Sequence, residues 1–374
     1  MAEQSFRIAV AAAGLAVALA GAVNASARAT GDDREKRSAG VLRELVPSAD
    51  GPGCAAAVGK RGDVAWEAGR GKADLATGRA ITSKTVFDMA SNSKQFTADA
   101  VLLLAGRHRL ALDDPLSDYL DDPPAWTRDV TLGDLMRHTS GITDYQDLLE
   151  AKGIKLTDPA GQQEAIAAIL ASQPEEPPGK RFSYSNSNYV LLAHVVEKVT
   201  GKPFPAFLQQ EFFTPLHLNM TLSPAVDVPG KAKSYDAKDG SFTPNSSPWR
   251  QYGDGSVQTT PGEFVRWADN YRTGRIGGTA LLTGVTEGAV SVGRRPAPAR
   301  HRRRAVRGRN PRPPRQEPGA PRRLGGIPQH LQGEPGPEHR GHRRVQRGFT
   351  GPFPCGQSAD GHLDQVTGAR RELT

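Results

Sequence analysis

Ser91 and Lys94 stand three positions apart at the predicted start of a long apolar helix that continues to about Arg107. Positions i and i+3 of a helix share one face, so the Lys94 amine can reach the Ser91 hydroxyl. A serine hydroxyl becomes a nucleophile when a neighbouring group takes its proton, and a helix N-terminus favours negative charge on an attacking oxygen. The pair predicts acyl transfer at Ser91. A chance pair on a solvated helix face is the structural alternative.

Tyr184 and Asn186 lie two positions apart on a predicted polar loop, just before an apolar helix over residues 189–200. A tyrosine beside a cation can act as a base, and an asparagine can hydrogen-bond a substrate amide. An ordinary polar loop is the alternative interpretation. His138 precedes Thr139 and a serine, but no G-x-S-x-G turn surrounds it, so we predict a structural turn there and not a catalytic triad.

Turn and cap signals indicate the elements that position these side chains. Two short apolar runs with a glycine between them predict an antiparallel hairpin within residues 52–85. A capping-box pattern at 131–134 opens a short helix, and an Asp-Pro pair predicts another helix over 158–172. A glycine-rich loop over 253–260 precedes a predicted amphipathic helix over 261–271.

The N-terminus has the order of a secretory signal peptide over residues 1–27: a basic residue, an apolar run from Ile8 to Val23, and a small-residue cleavage site ending at Ala27. The run is short and rich in alanine, so we expect no stable membrane span. Residues 28–39 predict a disordered spacer. The sequence therefore predicts a secreted protein cleaved after Ala27, with a membrane anchor formed by an uncleaved N-terminus as the alternative.

Positive charge is concentrated near the C-terminus. Residues 294–347 contain sixteen arginines, no lysine and three acidic residues, a net charge of +13, whereas the whole chain carries +8. The remainder therefore carries −5. Residues 291–374 show almost no apolar periodicity, which predicts a basic, disordered tail.

Four phrases in a fixed order make the chain resemble the class C β-lactamase and penicillin-binding-protein-like serine hydrolases over about residues 40–290. The phrases are residues 87–96, 112–115, 130–141 and 178–186. The resemblance implies an α/β (α+β) fold of the β-lactamase/transpeptidase type, with a mixed, mainly antiparallel sheet flanked by helices. It also implies a helical subdomain, from about residue 110 to 250, as the other wall of the cleft.

By the same resemblance, Ser91 is the acylated nucleophile, Lys94 its proton partner and Tyr184 the base, while Asn186 binds the substrate. Lys94 would supply the cation that a tyrosine base needs. The implied substrate is a small molecule or peptide: a β-lactam, a D-alanyl peptide, or a small ester or amide. A D-alanyl-D-alanine carboxypeptidase or an esterase is the alternative to a β-lactamase. We expect no metal and no organic cofactor, and the sequence sets no oligomeric state.

The chain departs from the family pattern after residue 290. Family members carry a third motif, H-x-G or K-T-G, on a strand at the edge of the site, where a strand N–H completes the oxyanion hole. No such motif occurs at the expected place. We therefore expect the C-terminal strands to be missing, which would leave a sheet edge uncovered and reduce solubility and activity. A truncated, inactive pseudo-hydrolase is a further alternative.

A shifted reading frame accounts for this departure. Synonymous codons for residues 321–330, read from the second base, can encode His-Gly-Gly and then Ala-Gly-Phe-Arg-Ser-Thr. The same offset can turn residues 306–309 into Tyr-Gly-Ala-Gly and residues 342–346 into Thr-Val-Ala-Cys-Asn. These phrases resemble those around the family's third motif, in the expected order. We therefore interpret the tail as out of frame and expect no nucleic-acid partner; a natural basic tail that binds nucleic acid is the alternative.

We expect resequencing of the gene through the codons for residues 280–330 to reveal an inserted or deleted base whose correction restores an H-x-G phrase. A nucleotide sequence that reads without error in the present frame would contradict this interpretation. The basic-tail alternative would then predict nucleic-acid binding that weakens steeply as salt is raised.

Overall fold

The computed structural model describes residues 31, 33–224 and 228–289. The predicted signal peptide and the predicted basic tail lie outside the described residues, as does the start of the predicted spacer. The strands in the described part are β1 (Cys54–Lys60), β2 (Asp63–Arg70), β3 (Lys72–Asp74), β4 (Arg79–Ala80), β5 (Phe87–Asp88), β6 (Thr221–Leu222), β7 (Tyr235–Lys238), β8 (Ser241–Pro244) and β9 (Val257–Thr259). The helices are α1 (33–45), α2 (Lys94–Gly106), α3 (Leu132–Met136), α4 (Tyr145–Ala151), α5 (Gln162–Leu170), α6 (Ser187–Thr200), α7 (Phe204–Leu208), α8 (Pro261–Ala268), α9 (Asn270–Thr273) and α10 (Gly278–Thr286).

The predicted N-terminal hairpin is confirmed by the antiparallel pairing of β1 with β2. Its two-residue turn places both Arg61 and Gly62 at positive φ, the combination that matches the right-handed twist of paired strands. Helix α8 packs very closely on β1, since a Cβ on Gly59 would lie 2.4 Å from a methyl carbon of Val265. Among the described residues, β1 pairs with β2 alone, so its other edge has no strand partner there.

The prediction of a disordered spacer over residues 28–39 is wrong from residue 33 onward, where α1 begins. This helix is mostly polar and exposed, so its composition resembles that of a disordered segment. Leu42 and Val46 nevertheless bury themselves against Cys54 and Trp66 of the hairpin. Burial against the hairpin therefore stabilises a helix that the composition of the segment alone does not predict.

Strand β9 is the centre of a three-stranded antiparallel sheet with the order β5-β9-β6. All three residues of β9 are buried. Phe87 pairs with Thr259, and Asp88 pairs with Gln258, immediately before the Ser91 segment. The sequence prediction of a plain glycine-rich loop over 253–260 therefore missed this strand.

Most of the predicted helical subdomain is present, but it ends earlier than predicted. Helices α3 to α7 occupy the first part of that range, and the strands β6, β7 and β8 occupy its end. The capping box at Thr131 is confirmed by its bonds with Asp134. The helix predicted from residue 158 begins instead at Gln162, because the Asp158 carboxylate accepts the Lys155 N–H at 2.8 Å and closes a separate turn.

The described residues thus form a mixed fold whose sheets are antiparallel, as the sequence predicts. A cluster of aromatic rings fixes α2 from behind the Ser91 segment. Phe96 is fully buried, and its ring centroid lies 4.5 Å from that of Trp267 on α8 and 5.4 Å from that of Phe213. In the described part of the chain, none of the helices is both long and apolar enough to cross a membrane.

Asp99 is a buried carboxyl on α2 whose partner is Tyr271, which donates a hydrogen bond to it at 2.6 Å. Burial raises the pKa of Asp99 to about 7, and the Tyr271 hydroxyl opposes only part of the rise. The charged form of Asp99 is therefore disfavoured in the folded protein.

Replacing Asp99 with Asn should stabilise the protein more at about pH 8 than at about pH 4. The folded pKa of Asp99, about 7, lies above the unfolded value of 3.8. The stability linked to its protonated form is therefore complete below the unfolded value and is lost as pH rises through the folded value. At 1.36 kcal/mol per pKa unit the loss reaches about 4 kcal/mol.

Urea denaturation of the wild type and the Asp99→Asn variant across this range measures the effect. The exposed Asp113 offers a matched control, since Asp113→Asn removes a carboxylate that the fold does not bury. A stability difference between the Asp99→Asn variant and the wild type that does not change with pH would refute the prediction.

Candidate active site

Ser91 follows β5 in a short 3-10 turn, Ala90–Ser93, and α2 begins only at Lys94. The sequence predicted one continuous helix here, so the structure shifts the α-helix start by three residues. Ala90 has φ +45°, a left-handed conformation that a residue with a Cβ rarely adopts. The Asp88 carboxylate accepts the Ala90 N–H at 2.8 Å and holds this turn.

Strand β9 holds the Ser91 turn in place through two hydrogen bonds. The Met89 N–H donates to the Val257 carbonyl at 2.8 Å, and the Val257 N–H donates to the Ser93 hydroxyl at 3.0 Å. The turn is thus bonded on both sides of Ser91. A fixed backbone is what a nucleophile needs if its oxygen is to be held in one place.

The Lys94 side chain is buried, and its ammonium group has three oxygen neighbours. Nζ lies 2.7 Å from the Asn186 Oδ1, 2.7 Å from the Asp254 carbonyl oxygen and 3.4 Å from the Ser91 Oγ. An ammonium has three N–H donors. Each N–H can therefore donate to one of the three oxygens, and one of these oxygens is the hydroxyl of Ser91.

Tyr184 is brought to Ser91 from a loop 93 residues further along the chain, with its hydroxyl 2.9 Å from the Ser91 Oγ. Its ring stacks on His138 at 4.5 Å between centroids, and the Lys94 Nζ lies 5.1 Å from the ring centroid. The residue is 49% exposed, so solvent or a substrate can approach it. The structure therefore brings together the three side chains that the sequence singled out.

Asn186 also lies in this cluster, with the two ends of its amide bonded to different partners. Its Oδ1 faces Lys94, and it lies 3.3 Å from the Tyr184 hydroxyl. Its Nδ2 donates to the Asp144 carboxylate at 2.9 Å. The predicted contact of Asn186 with the substrate stays a prediction.

His138 is a buried part of the loop and does not bond Ser91 among the hydrogen bonds of the described residues. Its Nδ1 accepts the Ser185 N–H at 3.2 Å and faces the Asn188 Nδ2 at 3.1 Å. Burial lowers the pKa of His138 to about 3, and the nearby Lys94 ammonium adds to the effect. A neutral imidazole that accepts a backbone N–H fits the predicted structural turn.

Asp144 and Asp254 are two acidic residues of the site that the sequence reasoning missed. Burial raises the pKa of each carboxyl, and the Lys94 ammonium opposes the rise in both. The Asp254 carboxyl accepts the Tyr145 hydroxyl at 3.2 Å, while its backbone carbonyl faces Lys94. Asp144 could have been found from the sequence, because an aspartate just before a helix is a typical N-cap. The Asp254 backbone carbonyl could not, because any residue type carries a carbonyl.

Among the described residues, no group of three or more His, Cys, Asp or Glu side chains could hold a metal ion. The cluster itself offers Ser91, Lys94 and Tyr184: a hydroxyl in contact with one group that can exchange a proton and one that carries positive charge. That arrangement suits attack of the Ser91 oxygen on a carbonyl carbon.

Known proteins share this sequence pattern and this fold. The D-aminopeptidase of Brucella anthropi is 35% identical over 179 residues, which cover 46% of this chain and 33% of that protein. Penicillin-binding protein 4* of Bacillus subtilis is 30% identical over 163 residues, which cover 43% and 35%. The chain thus spans about a third of the length of the curated relatives that it matches.

The crystal structure of a penicillin-binding protein from Bacillus halodurans superposes with a TM-score of 0.57 at 27% identity, covering 64% of this chain and 75% of that one. The predicted β-lactamase/transpeptidase-like fold is therefore confirmed. The sequence model of the Beta-lactamase family matches residues 39–350. This match takes in most of the chain and the whole cluster around Ser91, so the protein belongs to the Beta-lactamase family of serine hydrolases.

Proposed function

We propose that the protein is a secreted hydrolase that forms an acyl-enzyme at Ser91. The observation that carries the proposal is the contact of the Ser91 Oγ with both the Tyr184 hydroxyl, at 2.9 Å, and the Lys94 ammonium, at 3.4 Å. Secretion rests on the signal-peptide pattern of residues 1–27, which lie outside the described residues.

In the acylation step, ionised Tyr184 takes the proton of Ser91 as the Ser91 oxygen attacks the substrate carbonyl carbon. The bond from that carbon to the leaving nitrogen or oxygen then breaks, and the leaving atom takes the proton from Tyr184. Lys94 stays protonated and stabilises negative charge on both oxygens. In deacylation, water attacks the ester and gives a proton to Tyr184, and the Ser91 oxygen recovers a proton as it leaves.

The substrate is an amide, a strained amide or an ester. The names of two relatives, a D-aminopeptidase and a penicillin-binding protein, favour a peptide with a D-residue or a β-lactam. A D-alanyl-D-alanine carboxypeptidase or an esterase is the alternative within the same chemistry. A truncated pseudo-hydrolase is the second alternative, favoured by the lack of an H-x-G or K-T-G motif at the expected place in the sequence.

We expect a fluorophosphonate probe, or labelled penicillin, to attach covalently to Ser91. Ser91→Ala should abolish labelling, and Tyr184→Phe should slow it by about 10²–10⁴, the usual contribution of a general base. Gel fluorescence of purified protein measures the rate.

Ser241→Ala and Tyr119→Phe provide controls of matched chemistry, because neither residue contacts Ser91 in the described structure. Labelling that persists in Ser91→Ala would place the nucleophile elsewhere. A folded wild-type protein that takes up neither label would favour the pseudo-hydrolase.

The reaction class is resolved by comparing turnover of a penicillin, a D-alanyl-D-alanine peptide and a p-nitrophenyl ester. We expect at least one of the first two to be hydrolysed with a higher kcat/KM than the ester. The ratio of the kcat/KM values for two substrates measures how much more strongly the enzyme binds the transition state of one than of the other. Hydrolysis of the ester alone would identify an esterase and would exclude both D-peptide and β-lactam substrates.

A further inference from the structure

Asp144 connects two loops of the site through its carboxylate. It is the N-cap of α4, where its Oδ1 accepts the Gln146 N–H at 3.0 Å. Its Oδ2 accepts both the backbone N–H and the Nδ2 of Asn186, at 2.8 and 2.9 Å. The three donors satisfy a half-buried charge, and two of them belong to a residue that contacts Lys94.

This arrangement decides which end of the Asn186 amide faces Lys94. With Nδ2 on the Asp144 carboxylate, the amide oxygen points at the Lys94 ammonium, 2.7 Å away. The flipped amide would place an oxygen against a carboxylate and an NH₂ group against an ammonium. Both contacts would be repulsive, so the carboxylate of Asp144 selects a single orientation.

The orientation of Asn186 in turn determines where the Lys94 charge lies. The Asn186 oxygen and the Asp254 carbonyl are the two shortest contacts of Nζ, and Ser91 is the longer third one. If the Asn186 oxygen turned away, Nζ would lose one of the two acceptors that hold it beside Ser91. The ammonium could then move away from the Ser91 hydroxyl and the Tyr184 hydroxyl.

We propose that Asp144 is a positioning residue for acylation: by accepting both N–H groups of Asn186, it directs the Asn186 amide oxygen at Lys94 and holds the ammonium against Ser91. It touches neither Ser91 nor Tyr184 through any hydrogen bond in the described part of the chain, so it acts through Asn186. This inference rests on the proposed acylation of Ser91.

The test is Asp144→Ser, examined with an alkyl fluorophosphonate as the probe. Serine is as good an N-cap as aspartate, so α4 keeps its cap. Its single, shorter hydroxyl cannot also reach Asn186. We expect the maximal rate constant for labelling of Ser91 to fall about 10- to 100-fold, the usual effect of losing a hydrogen bond to a charged group.

The probe concentration that gives half the maximal rate should stay the same, because the probe has no amide for Asn186 to bind. Thr260→Ala is the matched control, since it removes the N-cap of α8 without touching the cluster. Thermal melts of both variants separate a loss of folded protein from a loss of rate.

A double-mutant cycle with Asn186→Ala tests the route of the effect. If Asp144 acts through the Asn186 amide, Asp144→Ser should slow labelling far less in the Asn186→Ala background than in the wild type. Equal slowing in both backgrounds, or labelling of Asp144→Ser at the rate of Thr260→Ala, would overturn the inference and leave the proposed function standing. A folded wild type that takes no label would overturn both.

Discussion

The site depends on one physical constraint, the burial of the Lys94 ammonium. A buried charge is costly unless hydrogen bonds replace the water it loses. The acceptors that replace it come from residues 3, 92 and 160 positions away: Ser91, Asn186 and Asp254. Any fold that satisfies Lys94 therefore also brings the loop of Tyr184 and the loop before β9 to the nucleophile. The interaction that lets the chain bury a lysine is the same one that assembles the site.

One strained backbone position, Ala90, lies next to the nucleophile, and hydrogen bonds from the sheet oppose its strain. A left-handed Ala90 costs about 1–3 kcal/mol. Hydrogen bonds from β9 to Met89 and Ser93, on either side of Ser91, can offset this cost. Behind them, the buried ring of Phe96 packs against Trp267, a contact that a shift of α2 would disrupt. The position of the Ser91 oxygen thus depends on a strand of only three residues.

The sequence predicts the side chains of this site better than its backbone. Ser91 and Lys94 are marked by their spacing, and Tyr184 by its place before a buried helix, because these signals are local. Strand β9 is too short to show an alternating pattern, and its pairing with β5 joins segments about 170 residues apart. The carbonyl of Asp254 leaves no trace in residue type. What the sequence could not show is therefore the set of long-range backbone contacts that hold the predicted side chains in place.

The described contacts concern the activation of the nucleophile, which is a different task from binding the oxyanion. The hydrogen bonds described for Ser91, Lys94 and Tyr184 are all made by residues between 88 and 258, well before the last described residue. The strand that would complete an oxyanion hole belongs, by family resemblance, to the sequence after 290. Loss of one oxyanion donor typically costs about 10²–10³ in turnover but leaves the nucleophile and its base intact. A chain with only the first half of the machinery would therefore react once with an activated probe much more readily than it turns over a stable amide.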